Sequence, residues 1–233
     1  MKTELLKGKV VSLSVRDSLK IRIDSLLKDG FVPQLAAILI GDDPASQVYV
    51  KNKALTFEKQ NCRSKIYKFS ASTNQDTILN LIEKLNNDDE VHGILVQLPL
   101  PSHLDSQIIL HAVSPQKDVD GFHPHNLGLL LEGNPNFIPC TPYGILEILK
   151  FYNIPVSGRH AVILGRSNIV GKPMFALLAQ KFELGNATVT ICHTGTREIN
   201  NYTRMADILI AAVGSPEMIT GNMVKKGVDI IDV

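Results

Sequence analysis

Tryptophan is absent from this 233-residue chain, cysteine occurs three times, and neither sign of charge predominates. Each shortage removes a class of protein. Cys62, Cys140 and Cys192 are odd in number and far apart, and no CxxC pair occurs. Neither a disulfide framework nor a zinc ribbon is suggested, and free thiols in a reducing cytosol are the expectation, with no metal. With 24 basic against 23 acidic residues, no net field draws nucleic acid or an anionic membrane. No apolar run approaches the roughly 18 residues of a membrane span. The first residues, MKTELLKGKVVSLSVRD, are charged throughout and lack the apolar stretch of a signal peptide. These absences leave a soluble cytoplasmic protein without nucleic-acid or membrane partners.

What is present is an alternation of helical and strand patterns. Val15, Leu19, Ile23, Leu26 and Leu27 recur at helical spacing, with Gly30 as a stop. A buried strand is predicted over 35–40, ending in the turn Gly41-Asp42-Asp43-Pro44, then a helix to about Gln60. A weaker strand over 63–69, a helix over 75–85, a strand over 91–96 and a helix over 104–113 follow. From Pro115 to about Pro139 the periodicity fails, as functional loops often do. Thr141-Pro142 reads as an N-cap and first helical residue of a connecting helix, Thr141 to Tyr152. Strands are predicted over 161–164, 187–192, 207–213 and 228–233, with a helix over 172–182. Strands separated by helices or turns imply parallel pairing, so the fold class is α/β in two domains, 1–140 and 141–233. The last strand stops at its carboxyl end, where open α/β sheets place ligands, so the second domain is expected to be truncated.

Five segments carry chemistry-bearing residues. Gly165-Arg166-Ser167-Asn168-Ile169-Val170-Gly171-Lys172-Pro173 joins a strand to a helix. Small residues there admit a phosphate, and helix N-terminal amides bind anions. Ser167 stands where a G-x-G-x-x-G turn has its second glycine, and an ordinary βα turn is the alternative. The next strand ends in His193-Thr194-Gly195-Thr196, without the carboxylate that would repel a 2′-phosphate. This favours NADP over NAD, with Arg166 and Thr194 on hand; His193 also reads as a strand-end cap. Tyr49 and Lys53 are four apart and share a helix face. A lysine in a cleft moves protons if burial lowers its pKa, although such a pair also suits a solvated face. Gln97 follows a buried strand within Gly93-Ile-Leu-Val-Gln-Leu-Pro-Leu-Pro101, either as a ligand contact or as a turn cap. Asp118 and Asp120 lie in an aperiodic loop, Pro115 to Phe122, with spacing unlike a calcium loop; His123 and His125 read as loop polar residues.

In order and spacing these segments resemble the bifunctional methylenetetrahydrofolate dehydrogenase/cyclohydrolase family. The matching stretches are Pro44 to Lys53, Gly93 to Pro101, Pro115 to Phe122, Pro139 to Pro142, Gly165 to Pro173, and Ala206 through Gly214. The resemblance implies an N-terminal α/β domain that binds folate and a C-terminal Rossmann-like domain that binds NADP. It implies oxidation of 5,10-methylenetetrahydrofolate to the methenyl form, then hydrolysis to 10-formyltetrahydrofolate, by a homodimer. Lys53 becomes the acid/base, Gln97 a hydrogen-bond partner that tunes it, Tyr49 the group packed on the folate, and Asp120 the acceptor for the amino-pterin edge. Leu98 and Pro99 join the substrate site. Gly165, Arg166, Ser167, Val170, Gly171, Lys172, Pro173, His193 and Thr194 form the cofactor site. Members of the family continue past the equivalent of Val233 with a glycine- and proline-rich segment and a final helix. A shikimate dehydrogenase-like enzyme fits the VQLPLP and KDVDGF segments poorly, and a non-catalytic binding module has no need of Lys53.

Overall fold

The computed structural model describes residues 3–233. They divide into two compact units, one of residues 12–125 and one of the residues up to Val11 with Asn126–Val233. The boundary between the units falls at 125/126, and the residues from Thr3 to Val11 belong to the unit that contains Asn126–Val233.

Helix α1, Gly8–Lys28, begins seven residues before its apolar periodicity does, and Val11 is its only fully buried residue. It ends where Phe31 N donates to Leu26 O at 2.9 Å across Gly30. In the 12–125 unit, strands β1 (Gln34–Ile40), β2 (Arg63–Phe69) and β3 (Gly93–Val96) form a parallel sheet in the order β2-β1-β3. β1 is apolar from Leu35 onward because both of its faces are covered. Ala36, Ile38 and Ile40 pack with Ile78, Ile82 and Ile109 on one side, and Leu35, Ala37 and Leu39 with Val50 on the other. The helices are α2 (Pro44–Glu58), α3 (Gln75–Asn86) and α4 (Ser106–Ala112). Each starts on a side-chain cap: Asp43 accepts from Ser46 N, Asn74 from Thr77 N, and Asp105 from Gln107 N and Ile108 N.

Helix α5, Pro124–Glu132, occupies ground read from sequence as irregular. α6 spans Cys140–Phe151, so Pro139 rather than Thr141 is its N-cap, and no side chain bonds the cap position. Pro142 is then third in the helix, still within the turn whose N–H groups have no helical partner. Strands β4 (His160–Leu164), β5 (Thr188–Cys192), β6 (Ile208–Ala211) and β7 (Asp229–Asp232) form a second parallel sheet, β5-β4-β6-β7. Helix α7 (Gly171–Ala179) connects β4 to β5, and α8 (Ile199–Met205) connects β5 to β6. Every named strand pair is parallel, and the two-sheet α/β expectation holds.

The amino ends of β4, β6 and β7 are tied by charge. Arg159 donates to Asp229 Oδ2 at 2.8 Å and to Asp207 O at 2.6 Å. Asp207 accepts from His160 N at 2.9 Å and from Lys225 Nζ at 2.6 Å. These bonds hold the ends opposite to those where ligands of open sheets bind.

Candidate functional site

Both sheets reverse direction at their first strand. In the 12–125 unit the chain leaves β1 for β2 on one side and returns to β3 on the other. The carboxyl ends of β1 and β3 therefore flank a switch point, where open sheets leave a crevice. Gln97 sits there: its N–H continues the ladder to Ile38 O at 2.9 Å, and the Leu98–Pro99 peptide is cis. Its side-chain Nε2 donates to Leu98 O at 2.7 Å. Tyr49 and Lys53 lie on α2, which starts from the carboxyl end of β1. Tyr49 is 61% exposed, and Lys53 Nζ stands 5.0 Å from its ring centroid, a cation–π pair. Among the described residues no hydrogen bond joins Gln97 to Lys53, so the expected tuning contact is not formed in this arrangement.

The loop before α5 is laid along β3 as a short fourth ribbon. Ile94 N donates to Lys117 O at 2.7 Å, and Ile94 pairs with Asp118 in parallel sense. Its direction carries Val119 to Gly121 toward the carboxyl end of β3. Gly93 makes the approach possible, since a Cβ there would lie 2.4 Å from Val119 Cγ1. Lys117 closes α3, donating to Leu85 O at 3.0 Å and Asp88 O at 2.7 Å. The two carboxylates separate in role. Asp118 is 5% exposed and accepts from His123 N at 2.8 Å, which fixes the loop. Asp120 is half-buried. His123 caps α5, with Nδ1 accepting from His125 N at 3.1 Å beside the His111 ring. Partial burial outweighs Asp118 and lowers its pKa from the ordinary 6.5. The sequence signal for that cap was His123-Pro124, a polar residue before a proline at the first helical position.

In the second unit β5 lies to one side of β4 and β6 to the other, so the β4–α7 turn is again at a switch point. Gly165 has φ +116°, and a Cβ on it would meet Ala212 O at 2.4 Å. A Cβ on Gly171 would meet Gly165 O at 2.1 Å. The two glycines thus press main chain on main chain and leave a cradle that only they permit. The first-turn amides of α7, expected to bind an anion, are largely committed. Ser167 Oγ accepts from Val170 N at 3.0 Å and, at a long 3.5 Å, from Gly171 N. Ser167 O accepts from Lys172 N at 3.0 Å, Pro173 has no N–H, and Met174 N donates to Val170 O at 2.8 Å. Arg166 to Ile169 form an exposed crest, and Lys172 Nζ reaches back to Asn168 Oδ1 at 2.7 Å.

β5 ends beside this turn, with Gly165 N donating to Cys192 O at 2.8 Å. Burial raises the pKa of the Cys192 thiol from its ordinary value, so this cysteine is part of the core. The turn after it is closed by His193 N to Thr196 Oγ1 at 2.9 Å and by Gly195 N to His193 Nδ1 at 3.0 Å. His193 is half-buried and Thr194 exposed. The first carboxylate after β5 is Glu198, beyond the turn. Cradle, switch point and missing acid together fit a dinucleotide whose ribose carries a phosphate. Tyr49, Lys53, Gln97, Leu98, Pro99 and Asp120 belong to the first unit, and the cofactor-site residues to the second.

Residues 6–120 match the family model described as the catalytic domain of tetrahydrofolate dehydrogenase/cyclohydrolase, and residues 139–233 its NAD(P)-binding domain. The Bifunctional protein FolD of Chlorobium limicola is 51% identical over 232 residues, covering 98% of this chain and 78% of that protein. The crystal structure of the bifunctional FolD enzyme from Campylobacter jejuni has a TM-score of 0.94 at 46% identity, covering 99% of this chain and 80% of that one. That of the Trypanosoma brucei FolD enzyme, complexed with NADP cofactor and inhibitor, has a TM-score of 0.92 at 31% identity, covering 99% and 78%. On this coverage the chain belongs to the tetrahydrofolate dehydrogenase/cyclohydrolase family.

Proposed function

We propose that this protein oxidises 5,10-methylenetetrahydrofolate to the methenyl form with NADP and hydrolyses the product to 10-formyltetrahydrofolate. The carrying observation is one chain that holds a two-glycine dinucleotide cradle and, on a separate sheet, a lysine, an amide and a carboxylate on α2 and the strand-end loops. NADP, when bound at Gly165–Pro173, His193 and Thr194, supplies the hydride acceptor. The chain's own contribution to that step is alignment of two bound rings. Tyr49 packs on the folate and orients it. Asp120 accepts N–H bonds from the amino-pterin edge, on a loop fixed by Asp118 and Lys117. Leu98 and Pro99 line the same end of β3. Arg166 and Thr194 take the 2′-phosphate, Arg166 as a charged fork and Thr194 as a hydroxyl.

In the hydrolysis, water adds to the methenyl carbon and loses a proton to give a carbinol; the carbinol hydroxyl then gives up its proton as its oxygen forms the formyl C=O, the bond from that carbon to one ring nitrogen breaks, and that nitrogen gains a proton. Lys53 is the group that moves protons in these steps, and Gln97 orients it once substrate turns both side chains inward. The protein works as a homodimer in the cytoplasm. No helix among the described residues is long and apolar enough to cross a membrane, and no group of three metal-ligating side chains occurs among them.

The test mixes the protein with 5,10-methylenetetrahydrofolate and NADP and follows NADPH by absorbance, with NAD in parallel. NADP-dependent turnover is expected, and loss of methenyl absorbance reports the hydrolysis. Turnover with NAD alone refutes the cofactor assignment. Full hydrolysis by Lys53→Ala removes the role given to Lys53.

A further inference from the structure

Resting on the NADP reading above, we infer that Ser167 is a positioning residue of the cofactor turn: its hydroxyl occupies the amides of Val170 and Gly171, so that a dinucleotide's phosphates are met by the crest Arg166–Ile169 and not by the first turn of α7. An ordinary G-x-G-x-x-G turn leaves those first-turn amides to the pyrophosphate, and its second glycine keeps the approach clear. Here the residue at that position fills the place of the anion. Its Oγ accepts at 3.0 Å from Val170 N and at 3.5 Å from Gly171 N, and its carbonyl takes Lys172 N at 3.0 Å. Pro173 removes the next donor, and Met174 N is already bonded within the helix. Five successive positions, Val170 to Met174, therefore offer a ligand no further amide.

The crest is different. The main-chain N–H groups of Arg166, Ser167, Asn168 and Ile169 make no hydrogen bond among the described residues, and all four residues are exposed. The Lys172–Asn168 bond at 2.7 Å spans the same turn from outside and holds it in this shape. Ser167 thus acts through the turn. What the reading demands of it is an acceptor oxygen for two amides, and an amide side chain supplies that as well as a hydroxyl does.

The experiment compares the full chain with Ser167→Ala and Ser167→Asn, using two readouts. Amide hydrogen exchange at Val170 and Gly171, measured without cofactor, reports the cap. Fluorescence titration with NADPH reports binding. Ser167→Ala is expected to speed both amides and raise the NADPH Kd about fivefold, the size of one neutral hydrogen bond. Ser167→Asn is expected to restore both, with a Kd within about twofold of the unmodified chain. Restored exchange with binding still as weak as in Ser167→Ala means that the hydroxyl touches the ligand, which overturns the inference. So does an unchanged Kd in Ser167→Ala. If the unmodified chain shows the protected amides but binds no NADPH, the NADP reading is refuted and the inference falls with it.

Discussion

Replacing Gly93 by alanine tests how the loop that carries Asp120 is seated. The new methyl would lie 2.4 Å from Val119 Cγ1 and 3.5 Å from Leu35 Cδ1. Carbon atoms in contact rest at about 3.5–4.0 Å, so the first approach is short by more than an ångström and the second is ordinary. β3 is held by β1 along Leu35 to Ile38 and has no room to retreat. The loop must move, which strains the Ile94 N to Lys117 O bond of 2.7 Å. Overpacking of this kind costs about 1–3 kcal/mol. Gly93→Ala should therefore lower stability by that amount in urea unfolding and, on the folate role proposed for Asp120, weaken folate binding, because Asp120 is displaced with the loop. Val119→Ala removes the obstructing methyls and costs about 1–2 kcal/mol of burial on its own. Combined, the two changes should cost less than their sum by about 1 kcal/mol or more, since the second relieves the first. Strict additivity, or a Gly93→Ala protein of unchanged stability and folate affinity, would refute the reasoning that Gly93 exists to admit Val119.

Other consequences follow from the same geometry. Lys117→Met should cost about 1–2 kcal/mol in urea unfolding, because its two bonds close the carboxyl end of α3. Asp207 has its carboxyl pKa held below the ordinary 3.8, first by His160 N–H and then by Lys225. Its contribution is fully present above the ordinary value and is lost as pH falls through the lower, folded one. Asp207→Asn should flatten the acid limb of the stability–pH curve there, and an unaltered limb would count against the charge tie between β4, β6 and β7. His123 is also shifted down, by burial, and for a base that disfavours the charged form, so the folded chain takes up its proton later than the unfolded chain does. Stability should decline as pH falls below about 6.5 and level off beneath the folded value, and His123→Asn, which keeps the cap acceptor, should remove that decline.

Much of this was legible in the sequence where apolar spacing is strong. β1 announced itself by an unbroken apolar run, and α3 by Ile78, Ile82 and Leu85 on one face. α5 was hidden because Pro124, His125, Asn126 and Gly128 dilute a nine-residue helix that has Leu130 as its fully buried apolar residue. α8 was hidden because Thr203 is its only buried residue, leaving no apolar period to read. The site divides likewise. The glycines at 165 and 171 are placed by motif, and the structure gives the close approaches that require them. The work of Ser167 as a cap, of Lys117 as a helix stop and of Asp118 as a buried anchor depends on contacts between residues brought together by folding, which spacing along the chain does not encode.

The cradle at Gly165 and Gly171 is made of main-chain atoms, whereas Arg166 and Thr194 stand on exposed turns beside it. On the roles proposed above, holding a dinucleotide and choosing between dinucleotides fall to different atoms. On that proposal, an exchange at Arg166 or Thr194 rewrites the choice at the surface and leaves the packed glycine contact untouched. Retargeting of the preferred nucleotide, by drift or by design, is open to this turn without a detour through an unstable ancestor.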